Sequence, residues 1–155
     1  MTIQSVEELA EQVPLLADLE PSARALVAGC ASTAVFAGSE FLAREGAPAD
    51  TFYALREGRV ALELRAPAGA IVIETLVPGD VCGWSWLFPP YHWQFDVRAL
   101  EPVRALAFDA ACLRGKIERD DALGYALLRR FVPVMLDRLQ ATRLRLVDVY
   151  GNPAG

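Results

Sequence analysis

The residues of this chain best able to act on another molecule are crowded into one segment. Between Pro78 and Leu100 it reads PGDVCGWSWLFPPYHWQFDVRAL, and Trp84, Trp86, Phe88, Tyr91, Trp93 and Phe95 fall within twelve residues. All three tryptophans of the chain are among them. Rings at that density offer stacking faces, and His92, Gln94 and the indole and phenol donors could orient a flat ligand. Three readings stay open from the residues themselves: rings that plug a pocket, a pocket for a flat or apolar ligand, or an exposed patch that docks a partner protein. Pro89 and Pro90 suit all three by fixing the shape of the loop.

Covalent and metal chemistry find little support. His92 is the single histidine, which excludes multi-histidine metal sites. Packing explains Cys82 and His92 as well as a Cys/His pair would. Ser85 stands in Gly83-Trp84-Ser85-Trp86-Leu87, which lacks the second glycine of a nucleophile elbow, so its expected duty is to cap a short helix. Asp120 and Asp121 are adjacent carboxylates, but at a helix start they read as caps favoured by the helix dipole. The three cysteines, Cys30, Cys82 and Cys112, are odd in number, widely spaced and without a CxxC pair. Neither a disulfide framework nor a zinc site is expected of them, and buried inert thiols in a reducing cytoplasm fit best. No active site, metal or cofactor is expected.

Size and charge narrow the class further. A chain of 155 residues is most simply one domain, burying roughly two-thirds of its unfolded surface. A formal net charge of -5, with no dense basic stripe, disfavours nucleic acid as a partner. The opening MTIQSVEELAEQ has no basic start and no apolar core, so a secretory signal is not expected. No run approaches the ~20 apolar residues that cross a bilayer, and no membrane role is expected.

The elements that must position the aromatic segment are legible from punctuation. Ser5 with Glu8 has capping-box spacing and Pro21 suits a first helical position, which predicts helices near residues 5 to 12 and 21 to 29. Seven strands are predicted: Thr33 to Phe36, Glu40 to Ala43, Thr51 to Arg56, Val60 to Arg65, Ala70 to Leu76, Gln94 to Leu100 and Val103 to Phe108. Asp109 caps a helix to about Glu118, and a long helix follows from about Asp121 to Val149. Within it Leu128, Val132, Met135, Leu139, Thr142, Leu146 and Val149 are spaced alternately four and three apart, the seam of a parallel coiled-coil homodimer. A single wide core-facing stripe is the alternative. Leu127, Phe131 and Val134 lie on another face, free to pack inward, and Pro133 is expected to bend the helix.

The order and spacing of Phe36-Ala37-Gly38, Arg44-Glu45-Gly46, Glu57-Gly58-Arg59-Val60 and Pro78-Gly79-Asp80-Val81 resemble the cyclic-nucleotide-binding domain family, the sensor half of bacterial catabolite-activator and fumarate-nitrate regulators. The resemblance covers nearly the whole chain. It implies a mainly β fold, a β-roll of jelly-roll type with N-terminal helices over residues 1–30, the roll over 31–108 and C-terminal helices over 109–150. It also implies a ligand pocket at Gly83, Trp84, Ser85, Trp86, Trp93, Gln94, Phe95 and Asp96. In the family a Phe-Gly-Glu turn grips the ribose, and an Arg-Ser-Ala-Thr run, with amides of a short helix, holds the cyclic phosphate. Here Cys82 and Gly83 match the first two turn positions, but Trp84 replaces the Glu and Trp93 the Arg. Gln94, Phe95 and Asp96 replace Ser, Ala and Thr.

A phosphate without its charged partner forfeits about 3 to 5 kcal/mol, or two to four powers of ten in affinity. Conventional binding of cyclic AMP or cyclic GMP is therefore not expected. An Asp96 carboxylate facing the pocket would add repulsion, and Arg98, on the same strand face, is expected to pair with it. The helix-turn-helix that follows the long helix in the regulators has no counterpart before Gly155. These features together predict a stand-alone cytoplasmic sensor domain, a homodimer that takes a small aromatic or nucleotide-like ligand and acts through an unidentified partner protein. The competing expectation is a protein-interaction or assembly module with an aromatic-filled pocket and no small ligand.

Overall fold

The computed structural model describes residues 4–151; the outermost parts of the expected domain, residues 1–3 and 152–155, lie outside the described residues. The described residues open with three short helices, α1 (Val6–Glu11), α2 (Pro14–Ala17) and α3 (Pro21–Ala28). Ser5 and Glu8 form the expected reciprocal box: the Glu8 amide donates to Ser5 Oγ at 3.2 Å and the Ser5 amide donates to Glu8 Oε2 at 2.9 Å. Leu9, Ala10, Leu16 and Val27 carry these helices into the core.

Eight strands follow: β1 (Ala31–Phe36), β2 (Phe41–Ala43), β3 (Thr51–Glu57), β4 (Val60–Ala66), β5 (Gly69–Leu76), β6 (Val81–Cys82), β7 (Asp96–Ala99) and β8 (Val103–Asp109). They form two antiparallel four-stranded sheets, ordered β1-β8-β3-β6 and β2-β7-β4-β5, and this is the β-roll that the turn signals imply. Gly58, at φ 82°, makes the turn between β3 and β4. A Cβ there would stand 2.3 Å from the Pro102 carbonyl oxygen, so only glycine fits.

Two elements escaped the sequence reading, α2 and the two-residue β6, both too short to show a period. The last strand but one is also shorter than expected. Gln94 and Phe95 form a bend instead of the strand's start, because the residue before them is tied to the loop before β3. The Trp93 amide donates to Ala47 O at 2.9 Å and its carbonyl accepts from the Gly46 amide at 2.8 Å.

Asp109 caps α4 (Ala110–Glu118), accepting from the Cys112 amide at 2.9 Å. Asp120 accepts from the Leu123 amide at 3.1 Å at the start of α5 (Asp121–Gly151), as its cap reading requires. The long helix continues through Pro133. Leu123, Leu127 and Phe131 are buried against the roll, whereas Leu128, Val132, Leu139 and Leu146 of the expected seam are exposed.

One cysteine expectation is overturned. Cys30 and Cys112, read as inert thiols, are joined in a disulfide across a separation of 82 residues, with their Cα atoms 5.8 Å apart. The cause is strand pairing: Ala31 lies opposite Phe108, which brings the residue before β1 beside the first turn of α4. Cysteine usage therefore gives no ground for a reducing compartment. Cys82 is free and buried, and burial pushes its thiol up to about 12, so it stays protonated and unreactive.

Candidate functional site

The tryptophans and Phe95 of the aromatic segment turn inward, in two layers, whereas Phe88 is exposed and Tyr91 half-buried. It runs from β6 through Gly83 and a 3-10 turn (Ser85–Leu87), then through the cis peptide Pro89–Pro90, and enters β7. In the inner layer Trp86 stacks on Phe52 at 4.8 Å between ring centroids, and Phe52 stacks on Phe108 at 4.5 Å. Phe131 of α5 meets the edges of both Trp86 and Phe52. Trp86 is only 1% exposed, so it belongs to the core of the roll.

The outer layer holds Trp84, Trp93 and Phe95. Trp93 is buried, lies against Tyr53, and meets Phe95 edge to face at 6.2 Å. Its ring crosses over Gly83, whose φ is 101°; a Cβ on Gly83 would come within 2.6 Å of the indole. Glycine at that position thus serves both the turn and the close approach of the ring. Trp84 is half-buried, with Phe95 edge-on at 6.0 Å.

Above Trp84 lies a residue the sequence reading did not single out. Arg138 of α5 is 8% exposed, and its guanidinium sits 4.9 Å from the Trp84 ring centroid, in cation-π contact. It donates to Val81 O through Nη2 and pairs with Glu74 Oε2 at 3.4 Å, while its Nη1 is buried with no partner among the described residues. Burial pushes the Glu74 carboxyl above its ordinary value against the pull of Arg138. Arg138 had no local signal: its partners come from β5, β6 and the turn after it.

Between α5 and the roll, these groups wall a cavity of about 250 Å³, lined by Leu62, Ile73, Glu74, Trp84, Gln94, Phe95, Met135, Arg138, Leu139 and Thr142. Of the expected pocket residues, Trp84, Gln94 and Phe95 reach it. Trp86 is in the core and Gly83 lies beneath Trp93. Ser85 makes no capping hydrogen bond; Trp84 is the residue at the cap of the 3-10 turn, which corrects the role expected of Ser85. Gln94 is exposed and donates to the His92 carbonyl at 3.1 Å.

Asp96 departs from expectation too. Its carboxylate faces away from ligand space, accepting from the Glu45 amide at 2.7 Å and from Arg65 Nε at 3.3 Å, with Arg44 Nε at 3.5 Å. Burial alone would push this carboxyl up; the Glu45 bond and the two arginines outweigh it and hold the group below its ordinary range. Arg98 does not pair with Asp96 but with Glu63, at 2.6 Å, because β4 lies beside β7 and Ala61 is its register partner, with Glu63 two residues on. No helix among the described residues is long and apolar enough to cross a membrane.

A β-roll with a long helix across its groove, and a turn and 3-10 helix at the groove wall, has the architecture expected of a cyclic-nucleotide-binding domain. The model of the cyclic nucleotide-binding domain family matches residues 34–120, more than half of the chain, and the chain belongs to that family. It is 28% identical over 145 residues to the CRP-like cAMP-activated global transcriptional regulator of Mycobacterium tuberculosis, covering 93% of this chain and 63% of that protein's length. The chain thus spans less than two-thirds of that curated relative. A crystal structure from Geobacter metallireducens, described as a cyclic nucleotide-binding protein, superposes with a TM-score of 0.77 at 29% identity, over 88% of this chain and 99% of the other. The regulatory domain of Toxoplasma gondii PKA, crystallised with cAMP, shares the fold, with a TM-score of 0.67 at 19% identity over 83% and 48%. The Mycobacterium relative is named as a transcriptional regulator and the Toxoplasma one as a kinase regulatory domain.

Proposed function

We propose that this domain senses a flat, apolar molecule rather than a cyclic nucleotide held in the usual way, and that it works as a homodimer on a partner protein without catalysis of its own. The observation that carries this reading is Trp84 under Arg138. An indole stands where the family's ribose-binding carboxylate would be, and the guanidinium above it keeps one buried donor unpaired beside a cavity walled by rings. An unpaired buried donor is costly, so a ligand that offers it an acceptor oxygen is favoured. Asp96, turned away and neutralised, cannot replace the missing contacts. Ligand bound between α5 and the roll moves the equilibrium of the α4–α5 junction to the extent that it prefers one arrangement.

The dimer reading rests on α5. From Leu139 onward, the side chains of the helix are exposed apart from a half-buried Ala141, with Leu139 at 46% and Leu146 at 52%. A second copy of α5 would cover the seam at its three-four spacing. Replacing Leu139 with Glu is expected to convert a dimer to monomers in sedimentation velocity; an unchanged profile would contradict the seam.

A second reading, an interaction module with a filled pocket, is favoured by Trp93, whose ring already occupies the space over Gly83. Tryptophan emission separates the two. Titration with anilinonaphthalene sulfonate, a flat apolar anion, is expected to shift emission saturably in the wild type. Absence of any saturable shift, with a protein copurifying in stoichiometric amount, would favour the interaction module instead.

A further inference from the structure

We propose that the Cys30–Cys112 disulfide is a redox-sensitive clamp that fixes α4 and, through Arg114, the aromatic turn. Cys30 precedes the entire roll and Cys112 follows it, so the bond joins the two ends of the roll. Cys112 is the third residue of α4, and two residues further on Arg114 donates to the Trp86 carbonyl at 2.8 Å. The same guanidinium lies 4.5 Å from the centroid of the Tyr91 ring. The helix that carries the disulfide therefore also holds both sides of the loop on which the tryptophans are mounted. Its other end leads through Asp120 into α5.

Other ties between α3 and α4 are few. Lys116 Nζ donates to Leu26 O at 2.7 Å, and the Asp109 amide donates to Cys30 O at 2.8 Å. Once the sulfurs separate, α4 is held to α3 chiefly by the half-buried Lys116, while the β1–β8 ladder stays intact. The expected response is local loosening of α4, not loss of the roll.

Access favours one sulfur. Cys30 is 7% exposed, whereas Cys112 is half-buried and within reach of solvent. A dithiol reductant supplies the chemistry: its first thiolate attacks Cys112 Sγ, the S–S bond breaks, and Cys30 leaves as a thiolate that takes up a proton. The reductant's second thiolate then displaces Cys112, which is protonated in turn. One protein disulfide becomes two thiols and one dithiol becomes a disulfide, with two electrons and two protons transferred.

The test uses the full chain purified without reductant, and again after dithiothreitol. Alkylation under denaturing conditions is expected to label one cysteine before reduction, Cys82, and all three after it. Under native conditions, hydrogen exchange of α4 amides is expected to rise about tenfold or more on reduction, with a shift in tryptophan emission and unchanged exchange in β3 and β8. The C30S/C112S variant should match the reduced protein with or without dithiothreitol. Should that variant fail to fold, the wild type reduced in place gives the same reading. Three labelled cysteines before reduction would overturn the proposal. So would unchanged α4 exchange and emission after reduction, or loss of the whole fold on reduction, which would make the disulfide a staple and not a clamp.

Discussion

Trp86 and Trp84 stand two residues apart on one turn and meet opposite surroundings. Trp86 is stacked on Phe52 and met edge to face by Phe131 in the interior of the roll, where its bulk replaces water and completes a ring column. Trp84 lies at the wall of the groove, half-buried, with a cation above it and a cavity beside it. The first is a packing residue whose removal leaves a hole; the second is a surface on which something else can lie. An aromatic cluster read from sequence therefore merges two populations, and only the fold separates them. The 3-10 turn does so: at three residues per turn, side chains two positions apart leave the segment in different directions.

Substitutions at the two positions should separate in size and kind. Trp86→Ala is expected to cost about 3–5 kcal/mol, from lost transfer and the cavity left beside Phe52 and Phe131. Urea unfolding measures it; a cost below about 1 kcal/mol would merge the two tryptophans into one class. A contrast in charge comes next. Asp96 is buried and satisfied, and Asp96→Asn should cost about 1–3 kcal/mol at pH 7. An amide oxygen can still accept from the Glu45 amide, but without charge, and the new NH2 group sets a donor against Arg65. The ion pairs themselves add little, because Arg44 and Arg65 are half exposed and screened.

The pH dependence of that cost has a fixed sign. The folded pKa of Asp96 is depressed, so its contribution is complete above the ordinary carboxylate value and is lost as pH falls through the lower folded value. The gap between wild type and Asp96→Asn should therefore narrow below about pH 4. A gap that stayed constant into acid would mean that the carboxylate's charge is not what matters. The smallest effect on stability is expected at the groove. Trp84→Ala should cost about 1 kcal/mol, mostly the cation-π contact with Arg138, yet abolish the emission shift with anilinonaphthalene sulfonate. Retention of that shift would place the probe away from the Trp84 wall.

Much of the frame was legible because it is written locally. Glycines at Gly46, Gly58 and Gly79 mark turns, Ser5 and Glu8 close a box three residues long, and Asp109 and Asp120 cap the helices they precede. The three-four spacing of apolar residues on α5 is also local, and the structure leaves Leu128, Val132, Leu139 and Leu146 of that stripe exposed. The site was less legible because its contacts are non-local. Arg138 meets Trp84, Glu74 and Val81 from the other end of the chain, and in sequence it is one more arginine on a helix. Cys30 and Cys112 are brought together only by the pairing of β1 with β8. Asp96 and Arg98 share a strand face, so pairing them was reasonable; the closer partners came from β4 and from the loop after β2.

Replacement of an acid and a guanidinium by two indoles is tested most directly by isothermal titration calorimetry of the full chain with cyclic AMP. No saturable heat is expected up to about 1 mM nucleotide. Stoichiometric uptake in the low micromolar range would contradict the loss of these contacts and return the groove to the family's usual ligand.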